Sequence, residues 1–516
     1  MDAADSFDFV VVGAGSAGCV LAHRLVTGSE ARVLLLEAGG PDNRPEIHRE
    51  QLSSTLSLWA PGELDWGYVT EPEPGLAGRS IPVMRGKVWG GCSSVNAMLH
   101  VRGNRRDYDG WGVPGWSHRE VLPYFKRSED YEGGASEYRG TGGPLGVIRH
   151  ADPTPVSQRL FAAGPEVGLR DAGPGFDYNA AEQEDTVFHY QATKTREHER
   201  CSTAVAYLHP VLDRPNLTVR SRATATRILF EGGRAAGVEY VQDGRTRQAR
   251  VDHEVIVSGG SYESPHLLLR SGIGDADELR RHGIDVVADL PGVGRNLQDH
   301  MILGVAYLSR EEHPFEPTLI AETGFFTRTR GGEGPPDLQM KFGGLKFVDP
   351  AHDQEGPGFT FAPVLVQPRS TGSVTLHPAD PARNLVLRPN YLSDPADVET
   401  FLDGIELARA LARTDALADV VKTEIAPGPE VTSRADLTDF VRRGAATLWH
   451  PVGTCALGED ERAVVDPGLR VRGVTGLRVA DASVIPRIVA GNTNAACVMI
   501  GEKASDLVLA AHSGTT

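Results

Sequence analysis

Three glycines spaced as G-x-G-x-x-G are the first residues whose types and spacing could do chemistry. Gly13, Gly15 and Gly18 directly follow an apolar run at 9–12, and Glu37 ends a second apolar run. Gly13 permits a tight turn, Gly15 lets a pyrophosphate approach the backbone, and Gly18 lets a helix pack against the strand. Glu37 lies about where a ribose-binding carboxylate is expected. The pattern predicts a strand–helix–strand unit that binds a dinucleotide. It disfavours NADP and leaves NAD and FAD open.

Two further stretches have backbones suited to a flat or anionic ligand. Residues 85–96, RGKVWGGCSSVN, combine paired glycines with small side chains. Residues 491–494, GNTN, precede a predicted terminal helix at 495–511, whose first amides would face a ligand. We therefore expect both stretches to lie near the dinucleotide.

Other segments supply the elements that would position these stretches. A helix is predicted at 17–26 after the glycine turn, with its N-terminal amides toward the phosphates. We expect strands at 216–220 and 236–241 to form a small antiparallel unit. Ser264 and Pro265 are predicted as the N-cap and first residue of a helix. The polar run at 105–107 is expected to be a solvated face.

Composition restricts the class of protein. At 516 residues more than one domain is expected. The net charge of −17 argues against nucleic acid and anionic membranes as partners. No run is long enough to span a bilayer, and the N-terminus has no signal-peptide pattern. The five scattered cysteines form no CxxC pair, so we expect no metal site and no disulfide framework, and a cytoplasmic location.

Five ordered blocks resemble the glucose–methanol–choline (GMC) family of FAD-dependent oxidoreductases. The blocks are GAGSAG with Glu37, RGKVWGGCSSVN, GSYESPHLLLRSGIG at 260–274, PGVGRNLQDH at 291–300, and the C-terminal pair HPVGTC at 450–455 and ADASVIPRIVAGNTN from 480. The chain is most similar in character to aryl and furanic alcohol oxidases and to choline-dehydrogenase-like members. Cys92 stands where many members have Ser or Thr.

The resemblance implies a set of site residues. His450 aligns with the catalytic histidine and Asn492 with the second active-site position, which is His or Asn in different members. Val95 aligns where some members carry a histidine bonded to the flavin, so the resemblance implies non-covalent FAD. The implied cofactor-binding residues are Gly13, Gly15, Ser16, Ala17, Gly18, Glu37, Ala38, Lys87, Gly90, Gly91, Ser94, Val95, Asn96, Ala97, Asp481, Ala482, Asn492 and Thr493.

The fold implied by the resemblance is α/β, with a Rossmann-like FAD-binding domain and a second α+β substrate domain on an antiparallel sheet. We expect the FAD-binding domain to comprise residues 1–150, 201–305 and 446–516. Residues 151–200 and 306–445 would form the substrate domain. The substrate pocket is expected to include Leu448, Trp449, Met340 and Phe342, and His300 is interpreted as structural or as part of the domain interface.

The leading functional prediction is FAD-dependent oxidation of a primary alcohol, neutral and either aryl, furanic or aliphatic, to the aldehyde. A histidine suits removal of the hydroxyl proton, and an asparagine amide can donate to the developing alkoxide. Oxygen, a quinone or another acceptor would reoxidise the flavin. The alternatives are a hydroxynitrile-lyase-type enzyme and a choline or sugar dehydrogenase. A second histidine in place of Asn492 would favour the lyase.

Overall fold

Two large sheets, one mainly parallel and one antiparallel, organise the residues that the computed structural model describes. These residues are 5–149, 153–173, 175–312, 317–378, 380 and 384–512. In this part of the chain no helix is both long and apolar enough to cross a bilayer. The predicted two-domain α/β architecture is confirmed, with an apolar core in each domain.

The first sheet carries the dinucleotide turn. Seven strands of the described chain form it, in the order Leu217–Arg220, Val33–Leu36, Asp5–Val12, Arg245–Val257, Arg234–Gln242 and Ala223–Glu231, with Leu477–Val479 beside Arg245–Val257. Val33–Leu36 is buried throughout, as a strand inside a parallel sheet must be. The turn after Asp5–Val12 leads into the helix Ser16–Gly28, which packs against Asn494–His512.

One predicted strand pairing is wrong. Leu217–Arg220 lies parallel to Val33–Leu36 at the edge of the first sheet, rather than in an antiparallel unit. The antiparallel partners of Arg234–Gln242 are Ala223–Glu231, to which a turn at residues 232–233 joins it, and Arg245–Val257. The apolar pattern at 216–220 fits either pairing, so the sequence alone could not decide between them.

The second sheet is antiparallel where it faces the site. Its described strands run in the order Val421–Ala426, Val305–Ser309, Gly358–Leu365, Leu338–Gly343, Thr323–Thr327, Thr186–His189 and Arg170–Asp171, with Met301–Ile302 and Ala446–Thr447 attached at one side. The last two strands belong to this sheet, so it extends slightly past the predicted domain boundaries at 305 and 446.

Shorter elements connect these sheets. The remaining strands are Tyr68–Val69 with Pro82–Val83, Glu129–Tyr131 with Leu145–Arg149 and Gln191–Ala192, Ile273–Gly274 with Ala288–Asp289, and Ser373–Leu376 with Leu385–Arg388. The other α-helices are Pro45–His48, Leu52–Ser57, Arg105–Gly110, His118–Ser128, Pro155–Gln158, Leu160–Glu166, Gly260–Arg270, Ala276–Arg281, Pro395–Ala412 and Arg434–Gly444. Pro74–Leu76, Gly91–Ser94, His209–Val211 and Ala482–Val484 are 3₁₀ turns, and Ala204–Leu208 is a π-helical turn.

The helix Gly260–Arg270 begins earlier than predicted. Pro265 lies inside it, so Ser264 is not its N-cap. A proline has no N–H to donate to the carbonyl four residues earlier, which here belongs to Ser261. The Thr454 hydroxyl donates to that carbonyl instead, at 2.7 Å. A bond from a distant segment therefore makes the internal proline tolerable.

The predicted solvated face at 105–107 is wrong for Asp107. Its side chain is 1 % exposed and accepts hydrogen bonds from the amides of Asn104 and Ala490, each at 2.7 Å. Burial raises the pKa of the Asp107 carboxyl to about 7. The sequence neighbours Arg105 and Arg106 suggested a surface, because the contact with Ala490 is made across the fold.

Candidate active site

A cavity of about 460 Å³ lies between the two sheets and is lined by both domains. It extends from the glycine turn at residues 13–18 to one face of the second sheet. The following predicted site residues line it: Gly13, Gly15, Ser16, Ala17, Glu37, Ala38, Gly91, Val95, Asn96, Ala97, Asp481, Ala482, Asn492, Thr493, His450, Leu448, Trp449 and Phe342.

Five predicted site residues do not line this cavity. Gly18 faces the glycine turn, where a Cβ would fall 1.8 Å from the Gly13 carbonyl oxygen. The Gly90 amide donates to the Ala14 carbonyl at 2.8 Å, and the Ser94 hydroxyl donates to the Trp89 carbonyl at 2.6 Å. The Lys87 ammonium lies over the Trp66 ring, and Met340 is buried in the core of the substrate domain. These five residues therefore do not contact the cavity directly.

The cavity end at the glycine turn is built for an anion. The helix Ser16–Gly28 begins after Gly15 without a side-chain cap, so its first amides face the cavity. A helix N-terminus of this kind favours a phosphate, through its free N–H groups and its dipole. A Cβ at Gly13 would fall 2.4 Å from the Ser258 carbonyl oxygen, which excludes any other residue there. The Gly15 Cα faces open space, so a pyrophosphate can approach it.

Glu37 marks the ribose end of this site. Its carboxylate accepts hydrogen bonds from the Ala14 amide at 2.8 Å and the Gly39 amide at 2.7 Å. Burial raises the pKa of Glu37, while the two amides act in the opposite direction. Each carboxylate oxygen can accept more than one hydrogen bond, so a pair of ribose hydroxyls can be bound as well. The residues present therefore fit a dinucleotide with an unphosphorylated ribose.

His450 and Asn492 meet at the other end of the cavity. The Asn492 amide nitrogen lies 3.3 Å from His450 Nε2, although the two residues are 42 apart in sequence. The Asn492 amide oxygen is buried and has no hydrogen-bond partner among the described residues. A hydroxyl bound here can therefore donate to the Asn492 amide oxygen or to His450 Nε2, and it can accept from the second amide hydrogen of Asn492.

His300 fixes which nitrogen of His450 carries a proton. His300 Nε2 lies 3.1 Å from the Val366 carbonyl oxygen, which can only accept, so Nε2 carries the proton. Burial lowers the pKa of His300 to about 3, so the ring is neutral and its Nδ1 is an acceptor. His450 Nδ1 lies 3.0 Å from it and must donate. His450 Nε2 is therefore unprotonated, and it accepts a hydrogen bond from the Asn492 amide nitrogen, 3.3 Å away.

The electrostatic surroundings also keep His450 neutral. Burial lowers the pKa of His450 well below its usual range. The nearby cationic groups of Lys341 and Arg85 lower this pKa further. A neutral imidazole with an unprotonated Nε2 can accept a proton from a bound ligand.

Asp299 holds the loop that carries His450. One carboxylate oxygen accepts from the His450 amide at 2.7 Å, and the other from the hydroxyls of Tyr391 at 2.6 Å and Thr447 at 2.5 Å. Trp449, between Thr447 and His450, has a φ of 61°, a left-handed conformation that costs a non-glycine residue roughly 1–3 kcal/mol. The Arg85 guanidinium stabilises this conformation by donating to the Trp449 carbonyl at 2.6 Å.

The fold joins a dinucleotide-binding domain to an antiparallel substrate domain, and a neutral histidine lies at their junction. This combination is typical of the two-domain flavin-dependent oxidoreductases. The family profiles described as GMC oxidoreductase match residues 7–302 and 368–501. The chain belongs to the GMC oxidoreductase family. It is an FAD-dependent enzyme that acts on CH–OH groups.

Similar proteins extend over almost the whole chain. A mitochondrial choline dehydrogenase of Mus musculus is 41% identical, covering 98% of this chain and 89% of its own. An alcohol dehydrogenase (acceptor) of Pseudomonas putida is 39% identical, covering 98% and 96%. The pyridoxine 4-oxidase structure from Mesorbium loti superposes with a TM-score of 0.90 at 33% identity, covering 97% and 98%. These matches confirm the family resemblance in the motif blocks.

Several residues that shape the site were missed at the sequence level. Asp299 and His300 lie within the LQDH block, where the sequence assigned no role to Asp299 and interpreted His300 as structural or as part of the domain interface. His300 is now seen bonded to His450. Lys341 lies between the predicted pocket residues Met340 and Phe342, and it faces the cavity. The LQDH block and the alternation of side chains along the strand at 338–343 were the sequence signals available for these residues. Their contacts could not be predicted, because the residues that they contact come from distant segments.

Proposed function

We propose that this protein oxidises a primary alcohol to the aldehyde, with His450 as the base and Asn492 as the donor to the alcohol oxygen. The observation that carries the proposal is the unprotonated Nε2 of His450, held 3.3 Å from the Asn492 amide nitrogen in a cavity whose other end would hold the cofactor. The wall near His450 is apolar and includes Ile302, Ala362 and Leu448. This wall suits an aryl, furanic or aliphatic alcohol.

The reaction needs a proton and a hydride to leave the alcohol. The hydroxyl proton passes to His450 Nε2, and the Nδ1–H bond to His300 keeps the ring oriented during the transfer. Asn492 donates to the oxygen as negative charge develops there, and this role requires no titration. FAD supplies the acceptor for the hydride from the carbinol carbon. The carbonyl double bond forms as the O–H and C–H bonds break.

Val95 supports non-covalent attachment of FAD. It lines the cavity, and its side chain has no nucleophilic atom. We expect acid precipitation of the purified holoprotein to release all of the flavin into the supernatant. A yellow pellet would contradict non-covalent attachment.

A dye-coupled assay tests the proposed reaction. Purified holoprotein is incubated with an artificial electron acceptor and benzyl alcohol, a furanic alcohol, choline or a sugar, and the aldehyde is quantified. We expect dye reduction and an equal amount of aldehyde with benzyl or furanic alcohol. Cleavage of a cyanohydrin without dye reduction by any alcohol would contradict the proposal and favour the lyase.

Choline is the second candidate substrate, and one observation favours it. Trp59, Trp66, Tyr68 and Trp449 line the cavity, and aromatic faces can bind a quaternary ammonium group. A choline dehydrogenase is also among the similar proteins. Preference for choline over benzyl alcohol in the dye-coupled assay would support this candidate.

We propose oxygen or a quinone as the oxidant that completes the cycle. Leu448 lines the cavity beside His450 and would restrict the approach of small molecules. Reduced holoprotein mixed with air-saturated buffer or with a soluble quinone would identify the faster oxidant.

The five cysteines are free thiols, which supports the expected reducing, cytoplasmic compartment.

A further inference from the structure

Lys341 is a buried cation on the cavity side of the substrate sheet. It belongs to the strand Leu338–Gly343, where alternate side chains point to opposite faces. Met340 packs in the core of the substrate domain, and Phe342 belongs to that core while also lining the cavity. Lys341 lines the cavity and is 5 % exposed. The strand thus presents an ammonium group to the ligand from a rigid element.

The Lys341 ammonium lacks a counter-charge. Among the described residues, its nitrogen has no hydrogen bond and no ion pair, and it lies 5.9 Å from the centroid of the Tyr190 ring. Its partner across the strand pair is Ala362, in an apolar cluster with Ile302. Burial lowers the pKa of Lys341 to about 7.

The carboxylates of the cavity are engaged elsewhere. Glu37 binds the amides of Ala14 and Gly39. Glu263 binds the Tyr68 hydroxyl at 2.6 Å and pairs with Arg270, and Asp481 accepts from Ser264 at 2.5 Å. An unpaired buried ammonium costs folding free energy, and an anion that enters with a ligand would compensate it.

We propose that Lys341 binds the carboxylate of an alcohol substrate whose hydroxyl lies between His450 and Asn492. This inference rests on the proposed alcohol oxidation and narrows its substrate to a hydroxy-carboxylate with an apolar body. It departs from the neutral alcohol predicted from the sequence. It also disfavours choline, since a quaternary ammonium group would share the cavity with the charge of Lys341.

Charge-matched substrates test the proposal without any mutation. We compare kcat/KM of wild-type holoprotein for para-hydroxymethylbenzoate, its methyl ester and choline. We expect the acid to exceed the ester by roughly tenfold to a hundredfold, the range expected for a hydrogen bond to a charged group. Equal values, or a preference for the ester or for choline, would overturn the proposal.

Two lysine variants assign the preference to one side chain. Lys341→Met removes the charge while keeping the length of the side chain, and Lys422→Met is the control on an exposed strand position. We expect the ratio of acid to ester to fall to about one in Lys341→Met and to stay at the wild-type value in Lys422→Met. If Lys341→Met lowered kcat/KM for both substrates equally, the lysine would act only through His450, and the proposal would fail.

Binding of benzoate separates this inference from the proposed reaction. Titration of oxidised holoprotein with benzoate, followed by the flavin absorption spectrum, gives a dissociation constant without turnover. We expect this constant to rise roughly tenfold or more in Lys341→Met, and an unchanged constant would overturn the assignment. If no alcohol reduces the flavin, the proposed oxidation fails, while the benzoate titration still reports on Lys341.

Discussion

At the scale of single residues, the chemistry depends on the protonation of His450. Its Nε2 is unprotonated because the Val366 carbonyl orients His300, and His300 in turn accepts from His450 Nδ1. Burial and nearby cations lower the pKa of His450, so the base stays unprotonated. Two consequences can be measured, one by titration and one by substitution.

The pH profile of kcat/KM should show no loss of activity caused by protonation of His450 near the usual pKa of a histidine. The folded pKa of His450 is lowered, so the active neutral form persists below the ordinary histidine value of about 6.5 and is lost only at lower pH. We therefore expect kcat/KM for a neutral alcohol to show no acid limb associated with His450 at or above about 6.5. An acid limb above that value that disappears in His450→Gln would contradict the lowered pKa of His450.

Substitution of His450 should remove the base without removing the cofactor. We expect His450→Ala to lower the rate of flavin reduction by about 10²–10⁴, the usual contribution of a general base, with an unchanged FAD content. His198→Ala, at an exposed position, is the matched control and should retain the wild-type rate. A wild-type rate in His450→Ala would show that another group takes the proton.

Local spacing explains which of these residues could be predicted. Gly13, Gly15 and Glu37 are close in sequence, and their roles depend on one turn, so the sequence predicted their placement on the cavity. The bond from His300 to His450 joins residues 150 apart. Lys341 lies on a strand of the second sheet, and the cavity that it lines is completed by distant segments of the chain. Such contacts have no local signature.

At the scale of elements, two buried carboxylates position the catalytic loops. Asp299 binds the amide of His450, and Asp107 binds the amide of Ala490, two residues before Asn492. The two loops enter the cavity from different segments, so their relative position depends on these anchors. Asp107 and Asp299 are supplied by two separate segments of the chain.

Asp299→Asn tests this anchoring. An amide keeps one acceptor oxygen, but its NH₂ group would face either the His450 amide or the hydroxyls of Tyr391 and Thr447. We expect kcat to fall about 10²-fold through misplacement of His450, and unfolding free energy to fall by about 1–3 kcal/mol. Asp277→Asn, 88% exposed, is the control. Wild-type kcat in Asp299→Asn would contradict the role of the anchor.

Element boundaries were predicted well where periodicity and caps agree. The strand Val33–Leu36 and the terminal helix Asn494–His512 lie within a residue of their predicted bounds. The start of Gly260–Arg270 was misplaced because Pro265 is normally a first-turn residue. The Thr454 hydroxyl that accommodates it comes from a remote loop. Local signals therefore fail where a distant partner replaces a backbone bond.

At the scale of the whole molecule, the cofactor cavity joins the two domains. Its walls combine the glycine turn and Glu37 with Ala362 and Phe342 of the substrate sheet. A ligand that fills such a junction stabilises the folded arrangement of both domains by mass action. Cofactor binding and domain assembly are therefore coupled.

Removal of FAD should destabilise the protein reversibly. We expect the Tm of apoprotein to rise with added FAD, by the equivalent of about 2.7 kcal/mol when free FAD is a hundred times its Kd. The measurement is differential scanning calorimetry of apoprotein across an FAD series, with riboflavin as the control that lacks the diphosphate and adenosine. A Tm that does not respond to FAD would contradict the coupling.

The most direct test of the account is anaerobic stopped-flow reduction of the bound flavin by benzyl alcohol and by its carbinol-dideuterated form. The account predicts bleaching of the flavin, one aldehyde per flavin, and a rate slowed several-fold by deuterium because the C–H bond breaks as hydride leaves. It also predicts that His450→Ala bleaches far more slowly at equal FAD content. A fully oxidised flavin spectrum with every alcohol, including hydroxy-carboxylates and choline, would contradict the central claim that this cavity oxidises alcohols.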